Sequence, residues 1–144
     1  MADIALQGVH YTERTRPPPP LPSAAAAAAG STTSTSFHSL QQLRTDWGPA
    51  LSYAFLSPIF DSISKEGYSA ARFDRCKLLQ VLDQCEFPVV ALGGITSKNM
   101  QEARHMGFAG TAVIGSVWQA DNPVTAWQRL QQAADEAWVH EQML

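Results

Sequence analysis

Cysteine is scarce in this chain. Cys76 and Cys85 are the only two, and they lie nine residues apart in one helical pattern, too far along an axis that rises about 1.5 Å per residue for a disulfide. They are expected to be reduced, buried thiols in a reducing compartment. No group of His, Cys, Asp and Glu has metal-ligand spacing, and no G-x-S-x-G elbow occurs. Charge is sparse as well. Only 16% of residues are charged, the net charge is −3, and none of the ten Lys and Arg forms a block. Nucleic acid and anionic membrane surfaces, which need clustered cations, are therefore excluded as partners. The longest hydrophobic run is Ala24 to Ala29, far below the roughly 18 to 20 apolar residues of a spanning helix. The first residues show neither a basic start before an apolar stretch nor an Arg/Ser-rich amphipathic character. The expectation is a soluble intracellular protein, cytoplasmic or plastid, with the compartment itself unassigned.

What is present fits one domain over 1–144. Within it, 17–36 reads as a low-complexity insertion: a proline run, an alanine run and a Ser/Thr tract that cannot supply a core. At 144 residues the chain is too short for a complete eight-stranded β/α barrel, which needs about 200 residues or more.

Short β-rich runs alternate with helical patterns, the signature of a parallel α/β architecture. Strands are expected at Ile4 to Tyr11, Leu51 to Phe60, Pro88 to Ile95 and Gly110 to Trp118, with a weaker fifth at Thr33 to Phe37. Helices are expected at Ser39 to Trp47, at Phe73 to Cys85, and from a Ser97 cap to Gly107. A last helix opens at Asp121 or Asn122 with Pro123 in its first turn. Its Val124, Trp127, Leu130, Ala134 and Trp138 repeat at steps of three and four, so it should pack a large aromatic face. The 17–29 segment stands where the first crossover helix belongs.

Three loops have the chemistry of anion sites. Gly93 and Gly94 end one strand and Gly115 and Ser116 another, and glycine-rich turns let backbone N–H groups approach a phosphate. In SPIFDSISK, Ser62 and Ser64 are one residue apart, so their hydroxyls point the same way in an extended loop, with the Lys65 ammonium next to them. His38 follows a strand and precedes a helix, the position at which α/β sheets carry catalytic groups. A neutral imidazole there can shuttle a proton. Each feature also has a plainer reading: a tight turn, a solvated loop, a hydrogen-bonded structural histidine.

Taken together, GVH (Gly8 to His10), SFHSL (Ser36 to Leu40), FLSPIFDSISKEGY (Phe55 to Tyr68), PVVALGGIT (Pro88 to Thr96) and GFAGTAVIGSVW (Gly107 to Trp118) resemble the thiamine phosphate synthase family. That family includes the related thiazole tautomerases. The motifs run in family order, and the resemblance covers the chain from about Ala5 to Trp118 outside the insertion. It implies a partial (β/α) TIM barrel of about five parallel strands, the fourth to eighth of the family fold. It also implies an alkyl transfer that joins hydroxymethylpyrimidine diphosphate to hydroxyethylthiazole phosphate and releases diphosphate. By resemblance, Ser62, Ser64 and Lys65 hold thiazole phosphate and diphosphate oxygens, and Gly93, Gly94, Gly115 and Ser116 bind thiazole phosphate. His38 matches the proton carrier of the tautomerases.

Mg²⁺ is the cofactor the resemblance implies, but its carboxylates are not found in this chain. Thr15 stands where the family has an aspartate, only Glu13 is nearby, and the family's other aspartate and its basic diphosphate ligands belong to a part preceding Met1. Three readings stay open. The chain is a synthase, inactive as it stands; or it is a thiazole phosphate-binding or tautomerase-like module without synthase activity; or it is an incomplete sheet whose open faces drive self-association.

Overall fold

A computed structural model of the chain describes residues 7–21, 31–47, 51–61 and 73–138. Five strands, β1 (Gly8–Tyr11), β2 (Thr32–Phe37), β3 (Tyr53–Leu56), β4 (Val89–Leu92) and β5 (Gly110–Ala112), form one sheet. All four pairings are parallel. The strand order is the chain order, with no reversal. That is the winding of a β/α barrel, whereas a doubly wound dinucleotide fold switches direction part-way across its sheet. The helices are α1 (Leu40–Leu43), α2 (Arg75–Asp83), α3 (Met100–His105), α4 (Gly115–Trp118) and α5 (Pro123–Trp138). No helix among the described residues is long and apolar enough to cross a membrane.

Side chains alternate between the two sheet faces. Phe37, Ala54, Leu56, Val89 and Ala91 point to one face and are buried against Leu43, Trp47, Leu78, Val81, Met100, Ala103 and Leu130 from the helical side. The register puts His10, Ser34, Ser36, Tyr53, Phe55 and Val90 on the opposite face. There only Ser34 is buried. In a closed barrel this second face is the interior; among the described residues it is only partly buried.

Several expectations needed correction. The weaker strand expected at Thr33 to Phe37 is β2, the longest of the five, so the insertion assigned to 17–36 does not reach into it; Thr33, Ser34 and Thr35 are buried. Their hydroxyls do not prevent this because strand neighbours satisfy them: Thr35 Oγ1 donates to the Tyr11 carbonyl at 2.8 Å, and Ser34 Oγ bonds His10 Nδ1 at 2.9 Å. Leu21, inside the same segment, is buried too, its N–H donating to the Trp47 carbonyl at 3.0 Å. Pro22 to Gly30 lies outside the described residues. The strand expected over Gly110 to Trp118 stops at Ala112, level with the last residue of β4. Beyond Leu92 there is no ladder partner, so the chain satisfies its backbone locally by turning into α4. Helix α3 opens at Asn99 rather than Ser97. Asn122 caps α5, accepting from the Thr125 N–H at 3.0 Å. The aromatic face of α5 is only half used: Trp138 packs against the core, but Trp127 is 54% exposed, since the first turns of the helix pass beyond the sheet edge. Cys76 and Cys85 are free thiols, Cys76 exposed.

Candidate functional site

A parallel sheet delivers every strand to the same end, and there the ends of β2 and β4 and the loops after β1, β2 and β3 line an open concavity of about 380 Å³. It is lined by Thr12, Glu13, Arg14, Ser36, His38, Ser57 and Leu92. His38 is fixed on both its backbone and its ring. Its N–H donates to Gln42 Oε1 at 2.7 Å, and that same amide belongs to a capping box with Ser39, which starts α1. On the ring, Nδ1 lies 3.0 Å from the Ser57 carbonyl and 3.2 Å from Ser57 Oγ. A carbonyl only accepts, so Nδ1 carries the hydrogen and Nε2 is the nitrogen left to take a proton. Glu13 Oε2 lies 4.0 Å from Nε2.

The loop that carries Glu13 is a tight turn in which Thr15 and Arg16 N–H groups both donate to the Thr12 carbonyl, at 3.0 and 2.9 Å. Thr15 Oγ1 accepts from the Thr12 N–H at 2.9 Å. Arg16 anchors the turn. Its guanidinium sits 4.8 Å from the centroid of Phe37 and 4.9 Å from that of Trp47, and it donates to the Ser36 carbonyl at 2.6 Å and to Thr35 Oγ1 at 3.1 Å. Burial lowers the Arg16 pKa, and the nearby Glu13 carboxylate offsets part of that. Stacked, forked and desolvated, this side chain is a structural tie that a lysine could not reproduce.

The two glycine loops meet at the same end of the sheet. Gly93 and Gly94 have φ of +93° and +65° and press against the loop after β3. A Cβ on Gly93 would lie 2.9 Å from Pro58 Cα, and one on Gly94 would lie 2.6 Å from the carbonyl carbon of Phe60. These glycines are needed by backbone packing as well as by any ligand. Asn99 staples the loop, donating from Nδ2 to the Gly94 carbonyl at 2.9 Å and accepting the Thr96 N–H at 2.8 Å. Ser116 Oγ donates to the Ile95 carbonyl and so joins the second loop to the first. In α4 the first helical hydrogen bonds run from Val117 and Trp118 to the Ile114 carbonyl. The N–H groups of Gly115 and Ser116 thus have no acceptor within the helix.

This arrangement can be set beside known proteins. A model of the thiamine monophosphate synthase family matches residues 2–117. The chain belongs to the thiamine monophosphate synthase family. Among its relatives, the thiamine-phosphate synthase of Latilactobacillus sakei is 39% identical over 98 residues, 67% of this chain and 43% of that protein. The thiamine-phosphate synthase of Prochlorococcus marinus is 27% identical over 133 residues, 90% of this chain and 37% of that protein. The chain thus spans less than half the length of these relatives. In fold it is similar to the thiamine phosphate pyrophosphorylase of Pyrococcus furiosus, with a TM-score of 0.70, 22% identity, and coverage of 92% of this chain and 61% of that one.

Against the family pattern, the fold brings Gly93, Gly94, Gly115 and Ser116 together and puts His38 at the same sheet end. Ser62, Ser64 and Lys65 lie outside the described residues. The residues that are described do not fit Mg²⁺. No three His, Cys, Asp or Glu among them converge, and Thr15, the position at which an aspartate was expected, spends its hydroxyl inside the turn. Sequence reasoning missed Ser57, Asn99 and Arg16. Asn99 gave no turn signal, because its side chain reaches back to Thr96 and Gly94 rather than forward as in an Asx turn. Ser57 and Arg16 act through partners far away in the chain.

Proposed function

We propose that this chain acts in thiamine biosynthesis as the part of a thiamine phosphate synthase that holds hydroxyethylthiazole phosphate. The observation that carries this reading is the Ser116 to Ile95 hydrogen bond, which joins the loop after β5 to the glycine loop after β4 at the end of the sheet. The phosphate would accept from N–H groups of Gly94, Gly115 and Ser116, and by resemblance to the family Ser62, Ser64 and Lys65 would add hydroxyl and ammonium donors. His38 would face the thiazole ring, its Nε2 free to take and return a proton as in a tautomerase. Such phosphorylated precursors suit a soluble intracellular setting, the cytoplasm or a plastid.

Coupling also needs diphosphate to leave hydroxymethylpyrimidine diphosphate, and that departure needs neutralising charge. With Thr15 in place of a carboxylate, the chain alone is proposed to bind without coupling. Incubated with both precursors and Mg²⁺, it should form no thiamine phosphate even at high protein concentration. Catalytic formation of product would overturn the binding-only reading.

We also propose that a second copy of the chain covers the apolar surface beside the sheet edge at β5. Ile114 is 67% exposed, Val124 66% and Trp118 77%, and with Trp127 they make an apolar patch beside the β5 edge. Sedimentation should show concentration-dependent dimers, and Trp118→Glu should shift them to monomer. A monodisperse monomer at high concentration contradicts this.

A further inference from the structure

Glu13 has no use in holding phosphate, because its carboxylate would repel an anion. Even so, it lines the concavity with Thr12 and Arg14, its Oε2 4.0 Å from His38 Nε2. Its backbone is held in place. The Thr12 to Arg16 turn is closed by its own hydrogen bonds, and the guanidinium of Arg16 ties it to the Ser36 carbonyl, two residues before His38. The histidine is fixed from the other side, with Nδ1–H on Ser57. Any proton His38 gains must therefore arrive at Nε2, on the edge that Glu13 faces.

We infer that Glu13 is a positioning residue for His38. It holds the imidazole edge toward the concavity and accepts the Nε2–H once that nitrogen has taken a proton from the bound ring. The inference rests on His38 being the proton carrier for a thiazole. In the step, a ring proton passes to Nε2 and its electron pair stays in the heterocycle. The imidazolium then has both N–H groups held, one by the Ser57 carbonyl and one by Glu13. Return of a proton from Nε2 to the ring restores neutral His38, so atoms and charge balance with no added reagent, and in D₂O the returning proton is a deuteron. A glutamine at position 13 keeps an acceptor but removes the carboxylate that faces Nε2.

The test is deuterium uptake into hydroxyethylthiazole phosphate by NMR, with affinity measured calorimetrically on the same proteins. Both side chains are about half exposed, so the effect is modest: Glu13→Gln should slow exchange about 5-fold with affinity and melting temperature unchanged, and Glu13→Asp should recover part of the rate. Exchange in Glu13→Gln within 2-fold of wild type, with His38→Ala inactive, overturns the role of Glu13 alone, whatever the affinity. So does a parallel loss of affinity, which would mark a merely structural side chain. Full exchange in His38→Ala overturns the reading of His38 and this inference with it.

Discussion

Gly94→Ala should weaken thiazole phosphate binding by about 10- to 100-fold, the worth of one hydrogen bond to a charged group, and destabilise the chain by about 2 kcal/mol. Two costs add. An alanine at φ +65° sits in the left-handed region, which an L residue enters at about 1–2 kcal/mol. Its Cβ would also meet the carbonyl carbon of Phe60 at 2.6 Å, and that is backbone, which cannot rotate away. Either the glycine loop or the loop after β3 must shift, and both flank the proposed phosphate site. Gly110→Ala is the matched control, because nothing lies within 4 Å of a Cβ there. Calorimetry and urea denaturation of the two variants should separate a loop that needs glycine from a strand that tolerates alanine.

Phe37→Ala should cost about 3–5 kcal/mol, the range for emptying a buried aromatic site. Its ring is fully buried, 5.1 Å from the centroid of Trp47 and 6.4 Å from that of Phe87. The loss is larger than a cavity alone because Arg16 stacks on the same ring, and without it a desolvated guanidinium loses half its cradle. Thermal unfolding should fall by roughly 10 °C or more for a chain of this size. Phe55 lies on the open face, in edge contact with His10 and Tyr53. Phe55→Ala should cost much less, and equal losses at the two positions would contradict the assignment of buried and open faces.

The alternation of strands and helices was legible because its signals are local: apolar runs such as VVAL, a glycine just after α3, a proline opening α5. The ends of strands were not. Whether residues after Ala112 extend a strand depends on β4 ending at Leu92, and that is a fact about another segment. The burial of Thr33, Ser34 and Thr35 was hidden for a similar reason, since a Ser/Thr tract looks solvated until Tyr11 and His10 are seen to satisfy its hydroxyls. Among the site residues, the glycines and His38 declared themselves by position after strands. Ser57, which sets the tautomer of His38, and Arg16, which fixes the Glu13 loop, could be found only once the sheet had brought β1, β2 and β3 side by side.

The central claim is that the joined glycine loops hold a thiazole phosphate. Titrating hydroxyethylthiazole phosphate into the full chain by calorimetry, without Mg²⁺ or the pyrimidine, should give saturable binding at one site. That binding should weaken in Gly94→Ala and persist in Glu13→Gln. No saturable binding up to millimolar ligand, or equal affinity in Gly94→Ala, would contradict the account.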